Sequence, residues 1–159
     1  MKLSSLLSKQ QVILQMRSTE HAEAIQELVD HLDENELLKG VNKAEVVAAL
    51  LAREDQTSTG IGSGVAIPHA FSEDIDEVVA VFGRSPEGID FEALDNAPVK
   101  FIVLFIVPKS DYHKHLQTLA AIAKLFNNCE VRKELAAAEK KEDILKIFAS
   151  RPSRTDLER

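Results

Sequence analysis

A histidine that directly follows a proline is the residue with the clearest capacity for chemistry. His69 comes after Pro68 in the stretch GIGSGVAIPHA, residues 60–70. Proline fixes its own φ and restricts the residue before it, so the backbone holds this histidine in place. An imidazole there can act as a nucleophile through a neutral ring nitrogen, or it can bind a metal. The alternative is a surface histidine that merely follows a turn.

Groups that recognise phosphate precede this histidine in the chain. Arg53 carries a permanent charge on a planar fork that suits phosphate oxygens. Three hydroxyls and two glycines with accessible amides follow it: Thr57, Ser58, Thr59, Gly60 and Gly62. Together these groups could hold a phosphoryl group on an imidazole. The simpler interpretations are a glycine turn leading into a strand, and an arginine at a helix C-terminus.

The sequence around the other four histidines indicates a functional role less clearly than that around His69 does. His113 and His115 are two residues apart near the start of a predicted helix, where their side chains would point about 200° apart. They are therefore poor joint metal ligands, and a zinc site with His69 would require a loop and has no supporting cysteine or carboxylate spacing. We expect one of the pair to face His69. His21 and His31 are predicted to be surface residues of the first helix.

The elements that must position these residues can be predicted from apolar spacing. Helical periodicity predicts helices over residues 18–32, 43–53, from 110 or 111 onward, 130–138 and 141–148. Asn42 is a predicted N-cap, with Glu45 in the capping-box position. Continuous apolar runs predict strands over 77–85 and 100–108, and a shorter one over 64–67. Helices before, between and after strands indicate a single-domain, layered α/β fold.

Composition limits the classes of function. The chain has 159 residues, a net charge of −7 and scattered basic residues, which argues against nucleic-acid binding. Its one cysteine, Cys129, permits no internal disulfide and favours a reducing compartment. No apolar run approaches the ~20 residues of a membrane helix. With no recognisable signal peptide, we expect a cytoplasmic protein. Residues 151–159 are predicted to be a flexible polar tail.

Four segments together resemble a known family. The segment from Arg53 to His69 reads R-E-x-x-x-S-T-G-I-G-x-G-x-A-I-P-H, and FEALDNAPVKFIVLFIVP, HLQTLAAIAKLF and LSSLL agree with it. The chain resembles enzyme IIA domains of the fructose/mannitol class in the bacterial phosphotransferase system. Within that class it is similar to the stand-alone nitrogen-regulatory IIA proteins. The resemblance covers about residues 3 to 149, so residues 1–150 are predicted to form one IIA-like domain.

The resemblance implies a fold and a role for each matching residue. His69 matches the histidine that takes a phosphoryl group on Nε2 from an HPr-like carrier protein. His115, in the H-L-x-x-L segment, matches a second active-site histidine, and Arg53 matches the active-site arginine. Ala70 departs from the pattern, since a glycine is common there. The implied fold is a mixed β-sheet with helices on both faces, and neither a cofactor nor a metal is implied.

Two functions remain open at this level. In the first, which we favour, the phosphorylation state of His69 decides which partner proteins the chain binds. In the second, the chain passes the phosphoryl group to a IIB domain that serves sugar uptake of the fructose or mannitol type. The regulatory interpretation depends on the nitrogen-regulatory likeness and on the lack of a recognisable IIB or transporter segment in these residues.

Overall fold

A computed structural model describes residues 6–56, 60–62, 64–91 and 97–150. The strands, in chain order, are β1 (Val12–Ile13), β2 (Gly60–Gly62), β3 (Val65–Ala66), β4 (His69–Ser72), β5 (Val79–Ile89) and β6 (Val99–Pro108). The main helices are α1 (His21–Glu34), α2 (Lys43–Gln56), α3 (Tyr112–Phe126), α4 (Cys129–Ala137) and α5 (Lys141–Ser150). Short 3-10 turns, Lys9–Gln11 and Lys109–Asp111, precede β1 and α3. The predicted tail, 151–159, lies outside the described residues.

The strands form one mixed sheet. Its order is β1-β5-β6-β3-β2, and β4 also pairs with β6. Strands β3 and β4 run parallel to β6, and β1 runs parallel to β5. The central pair, β5 and β6, is antiparallel, as are β2 and β3. The predicted α/β fold with a mixed sheet is therefore confirmed.

Strand β6 is buried on both faces, as its unbroken apolar run predicts. Its side chains alternate between two hydrophobic cores, one on each side of the sheet. Phe101, Val103, Phe105 and Val107 pack in the core that also contains Phe126 of α3, Leu135 of α4 and Phe148 of α5. Ile102, Leu104 and Ile106 pack in the core that contains Leu28 of α1 and Leu50 of α2. The helices thus cover both faces of the sheet.

The predicted helices are present, with boundaries set by their caps. Helix α1 begins at His21 rather than Ser18, because the Glu20 side chain accepts a hydrogen bond from the backbone N–H of Glu23 at 2.9 Å. Asn42 is confirmed as the N-cap of α2, since its Oδ1 accepts a hydrogen bond from the N–H of Glu45 at 3.2 Å. Helix α2 continues to Gln56, three residues beyond its predicted end.

The sequence patterns missed three strands. Strands β1, β2 and β4 have only two to four residues, too few to show a clear alternation. Strand β5 is also longer than predicted, because the chain pairs again after an irregularity. Arg84 pairs with Phe101 and Ile89 pairs with Val99, so the intervening residues of β5 bulge out of the ladder.

A buried arginine joins the sheet to the helices on one face. Arg84 is 8% exposed, and its guanidinium donates hydrogen bonds to three backbone carbonyls. The acceptors are Leu14 at 3.0 Å, Leu135 at 2.8 Å and Ala138 at 2.6 Å. The last two lie at the C-terminus of α4, where a positive charge is favourable. Burial lowers the pKa of Arg84, because removal from water penalises the charged form.

We expect Arg84→Met to lower the free energy of unfolding by about 3 kcal/mol, since it removes a charged donor and leaves buried carbonyls unsatisfied. Urea unfolding followed by circular dichroism measures the loss. Arg132→Met is the matched control, because half-buried Arg132 donates to the carbonyl of Phe126 at 2.8 Å. It should cost about 1 kcal/mol. Equal losses in the two variants would contradict this role for Arg84.

Candidate functional site

His69 is the first residue of β4, which continues the line of β3 along β6 after a short break. Ala66 of β3 pairs with Ile102 of β6, and His69 of β4 pairs with Phe105, so the register is the same on both sides of the break. Pro68 lies in this break and has no N–H to donate to the ladder. Its carbonyl still accepts a hydrogen bond from the N–H of Phe105 at 3.0 Å. The proline therefore interrupts the strand immediately before His69 without changing its register.

The imidazole of His69 is held by the backbone of the same break. Its Nδ1 lies 3.0 Å from the carbonyl oxygen of Ile67. A carbonyl oxygen can only accept a hydrogen bond, so Nδ1 must carry the proton. In the neutral ring, Nε2 then has a lone pair and no proton. The side chain is half-buried. A ring nitrogen with a lone pair, such as Nε2 here, can act as a nucleophile or as a metal ligand.

Helix α2 forms the opposite wall of a cleft beside His69. The helix packs on β4, and Val46, Ala49 and Arg53 lie on its cleft face at i, i+3 and i+7. The cleft has a volume of about 500 Å³. Arg53 and His69 both line it, so the structure brings together two of the predicted site residues.

The remaining cleft residues come from the end of β4, the start of α2 and the residue after β6. They are Glu45, Ala70, Phe71, Ser72, Glu73, Asp74 and Lys109. The charged side chains among the described lining residues are three carboxylates and two cations, the latter being Arg53 and Lys109. Lys109 Nζ lies 3.2 Å from Glu73 Oε1 at the mouth of the cleft. A mixed-charge cleft of this kind can accept an anion next to the imidazole.

An exposed aromatic ring borders the imidazole. Phe71 is 39% exposed, and its ring centroid lies 6.3 Å from that of His69 at an interplanar angle of 75°. Among the side chains that the structure describes, the other exposed large hydrophobic residue is Leu116 of α3, at 42%. Leu116 directly follows His115 in the sequence. The apolar side chains left in water thus lie beside residues that the sequence assigns to the site.

Several predicted site residues cannot be placed by their side chains. His113 and His115 lie in the first turn of α3, which begins four residues after β6 ends, but their side chains fall outside the described part. Thr57, Ser58 and Thr59 lie outside the described residues altogether. The phosphate-binding role of these hydroxyls, and the choice of His115 over His113, stay predictions.

The glycine segment differs from the predicted turn. Gly60 and Gly62 lie in β2, which pairs antiparallel with β3. The turn is at Gly64, which has a φ of 78° that side chains other than glycine's disfavour. Its carbonyl accepts hydrogen bonds from the N–H groups of Lys100 and Phe101, at 2.8 and 3.0 Å. The turn is therefore anchored to β6, and phosphate binding by Gly60 and Gly62 stays a prediction.

The sequence predicted His21 and His31 to be surface residues of α1, and each is partly exposed but also contacts another segment. His21 is half-buried, with its ring centroid 6.0 Å from that of Phe91. His31 is also half-buried, and its Nε2 lies 2.7 Å from the carbonyl oxygen of Gln10. Both contact segments that lie outside α1, which the periodicity of one helix cannot show. Neither lines the cleft beside His69.

Sequence reasoning missed the acidic and basic residues around the cleft mouth. Glu73 and Phe71 follow His69 at steps of two, which is the spacing of one face of a strand. An interpretation of HAFS as a strand would have predicted this shared face. Lys109 directly follows the predicted strand over 100–108, but only the pairing of β4 with β6 brings it to Glu73. Within the described residues, no group of three or more His, Cys, Asp or Glu could hold a metal.

The chain belongs to a family of phosphotransferase-system components. The model of the family described as "Phosphoenolpyruvate-dependent sugar phosphotransferase system, EIIA 2" matches residues 5–151. This confirms the resemblance stated above and the prediction of a phosphoryl-accepting IIA protein at the level of the family. Among the described residues, no helix is both long and apolar enough to cross a membrane.

Named relatives cover the chain to different extents. A nitrogen regulatory protein of Bradyrhizobium diazoefficiens is 31% identical over 96% of this chain and 98% of its own length. A fructose-specific EIIABC component of Bacillus subtilis is 35% identical over 93% of this chain. The match spans only 23% of that longer protein. A fructose-specific EIIA component of Haloferax volcanii is 39% identical over 64% of this chain and 66% of its own length.

Solved structures share the fold. The crystal structure of the nitrogen regulatory protein IIA-Ntr from Neisseria meningitidis has a TM-score of 0.84, with 28% identity over 92% of this chain and 98% of that one. IIA mannitol from Escherichia coli has a TM-score of 0.74, with 22% identity over 89% of this chain and 98% of that one. At that identity, the second likeness concerns the fold alone.

Two histidines provide a direct check of the ring assignment. His69 should have its proton on Nδ1 and His31 on Nε2, because these are the nitrogens that face backbone carbonyls. Long-range ¹⁵N–¹H correlation spectra at mildly alkaline pH should therefore show opposite neutral tautomers in the two rings. A proton on Nε2 of His69 would contradict the geometry, and His31→Gln and His69→Gln variants assign the signals.

Proposed function

We propose that His69 accepts a phosphoryl group on Nε2 from an HPr-like phosphocarrier protein, and that its phosphorylation state decides which proteins the chain binds. The observation that carries this proposal is the contact between His69 Nδ1 and the carbonyl of Ile67. It leaves Nε2 with a lone pair for nucleophilic attack in the neutral ring. The family of the chain supports the reaction type.

The transfer step balances without an added acid or base when the carrier's phosphorylated ring has a proton on its other nitrogen, because that ring then leaves as a neutral imidazole. The lone pair on His69 Nε2 forms a bond to the phosphorus as the bond between phosphorus and the carrier's phosphorylated nitrogen breaks. The leaving nitrogen keeps the electron pair of that bond. His69 keeps its proton on Nδ1, so the contact with Ile67 persists through the step. The ring must be neutral to attack, because a protonated Nε2 has no lone pair to form the bond.

The neighbouring groups position and neutralise the phosphoryl group. Phosphoryl transfer depends mainly on alignment and on stabilisation of the spread negative charge. Arg53 lines the cleft with His69 and is the proposed permanent countercharge. His115, on the first turn of α3, is the proposed second histidine that holds the phosphoryl oxygens. Thr57, Ser58, Thr59, Gly60 and Gly62 are the proposed hydrogen-bond donors.

A regulatory role is supported by the relatives that match over their full length. The Bradyrhizobium protein, named as a nitrogen regulatory protein, is covered almost completely by this chain. We propose that residues 1–150 act as one IIA domain of this kind in the cytoplasm, with 151–159 as a flexible tail. A phosphoryl group adds about −1.5 to −2 charge, which is enough to change the partners of the surface around His69.

Delivery of the phosphoryl group to a IIB domain is the second candidate function. Its support is the 35% identity to part of a fructose-specific EIIABC component. A solved complex of IIA mannitol with phosphorylated IIB mannitol has the same fold as this chain in its IIA part. Rapid transfer of label from the phosphorylated chain to a IIB domain of the same cell, and then to sugar, would favour this function over regulation.

We expect His69→Ala to abolish labelling by ³²P-phosphoenolpyruvate in the presence of the general phosphotransferase proteins. His115→Ala should still accept label but pass it on poorly. Arg53→Gln should lower the labelling rate by about tenfold or more, since it removes one charge-assisted contact of about 1.5–3 kcal/mol. The measurement is the time course of label on the protein.

His31→Ala is the control for these variants, because His31 is a half-buried histidine that does not line the cleft. It should be labelled like the wild type. Circular dichroism spectra and melting curves establish that each variant is folded. Label that persists in folded His69→Ala would disprove the assignment of the phosphorylated residue.

A further inference from the structure

An exposed ion pair lines the cleft beside His69. Ser72, the last residue of β4, pairs with Pro108, the last residue of β6. Glu73 and Lys109 directly follow the two strands, and Lys109 Nζ donates a hydrogen bond to Glu73 Oε1 at 3.2 Å. Both side chains line the cleft that contains His69 and Arg53. The pair thus joins the ends of the two strands that carry and support the imidazole.

This ion pair can be exchanged at little cost. The side chains of Lys109 and Glu73 are 66% and 77% exposed. Exposed pairs of this kind contribute little to stability, because water screens the attraction and two long side chains must be ordered. No second acceptor for the Lys109 ammonium is present among the described contacts. A stronger anion within reach would therefore draw Lys109 away from Glu73.

A phosphoryl group on His69 would be such an anion. The described charged side chains of the cleft are Glu45, Glu73, Asp74, Arg53 and Lys109, so carboxylates already outnumber cations. A phosphoryl group would add about −1.5 to −2 charge and three acceptor oxygens. Arg53 alone leaves this charge undercompensated. The nearest further cation that lines the cleft is Lys109.

The backbone places the two groups within reach. His69 and Phe71 are two residues apart in β4, so their side chains leave the strand on the same side, and Glu73 directly follows the end of that strand. The four-residue step from His69 to Glu73 spans at most about 13 Å of extended chain. His69 and Lys109 line the same cleft, and a phosphoryl group on Nε2 and the long side chain of Lys109 each shorten the distance that has to be bridged.

We propose that Lys109 is a phosphorylation-sensing residue that exchanges Glu73 for the phosphoryl group on His69. The proposal rests on the proposed function, since it needs a phosphorylated His69. In the unphosphorylated protein, Lys109 neutralises Glu73. In the phosphorylated protein, Lys109 binds a phosphoryl oxygen and leaves the Glu73 carboxylate uncompensated beside exposed Phe71. The surface that a partner contacts then differs between the two states by more than the phosphoryl group itself.

The test is the equilibrium distribution of phosphoryl groups between this chain and the HPr-like carrier of the same organism. ³¹P NMR measures both phosphohistidines after loading with phosphoenolpyruvate and the general phosphotransferase proteins. An equilibrium constant is independent of how fast the two proteins dock. The variants are Lys109→Gln, Glu73→Gln and the double variant. Lys9→Gln and Glu142→Gln are matched controls, because Lys9 and Glu142 form an exposed pair at 2.6 Å outside the cleft.

We expect opposite effects from the two single variants. Lys109→Gln should reduce the equilibrium constant for phosphorylation by about three- to tenfold, as it removes a charge-assisted contact. Glu73→Gln should increase it by about two- to fivefold, because Lys109 no longer has a competing partner. In the Lys109→Gln background, Glu73→Gln should have a smaller effect, because only the repulsion between the carboxylate and the phosphoryl group then remains. The difference between wild type and Lys109→Gln should shrink at 1 M salt, where the Debye length is about 3 Å. The control variants should match the wild type.

The outcomes separate this proposal from the proposed function. One outcome is that the wild type is phosphorylated on His69 while Lys109→Gln has the same equilibrium constant for phosphorylation. That result would overturn the role of Lys109 and leave the proposed function intact. An increase from Glu73→Gln that is as large in the Lys109→Gln background as in the wild type would also overturn it, because the whole effect would then be simple repulsion by the carboxylate. Wild type that accepts no phosphoryl group on His69 would overturn both.

Discussion

Burial of β6 on both faces is the constraint on which the rest of the fold depends. Seven consecutive residues, 101–107, send side chains alternately into two cores, and each core is completed by a different set of helices. A strand with no polar face must lie inside a sheet, with a neighbour on each edge. Strand β5 occupies one edge, while β3 and β4 share the other. The shared edge is where His69 lies, so the most buried strand positions the site.

The break between β3 and β4 connects this architecture to chemistry. The Pro68 carbonyl accepts a hydrogen bond from β6, whereas the Ile67 carbonyl accepts one from the His69 ring. The same short segment therefore sets the position of the imidazole and the nitrogen that carries its proton. Among the hydrogen bonds between described residues, the one that the His69 ring makes is to this backbone carbonyl.

The electrostatic character of the cleft suits a group that is held and then released. Arg53 is half-buried on α2, whereas Lys109 is exposed and paired with Glu73. Interactions with exposed charges are weak and screened by salt. They would stabilise a phosphoryl group on His69 by a small amount, so the group could still be released. The carboxylates around the same cleft oppose the added negative charge. A phosphoryl carrier requires this intermediate strength, because a tightly bound group could not be passed on or removed.

Some features of this protein follow from the sequence by itself. Helical spacing, for example Ile25, Leu28 and Leu32 in α1, reports a local backbone period, and it located all five main helices to within a few residues. The unbroken apolar run identified β6, and Pro68 identified His69 as a residue held by its backbone. The segment from Arg53 to His69, together with three further segments, indicated the family to which the chain belongs.

Other features were decided only by tertiary structure. Strand β4 is too short to show a period, and it exists because β6 has an edge to pair. The meeting of Arg53 with His69 requires α2 to pack on β4, and the meeting of Lys109 with Glu73 joins residues 36 apart in the chain. Sequence patterns report which face of a segment is apolar, but they do not report which faces meet. That choice is made by the collective burial of side chains from many segments, which no single stretch of sequence contains.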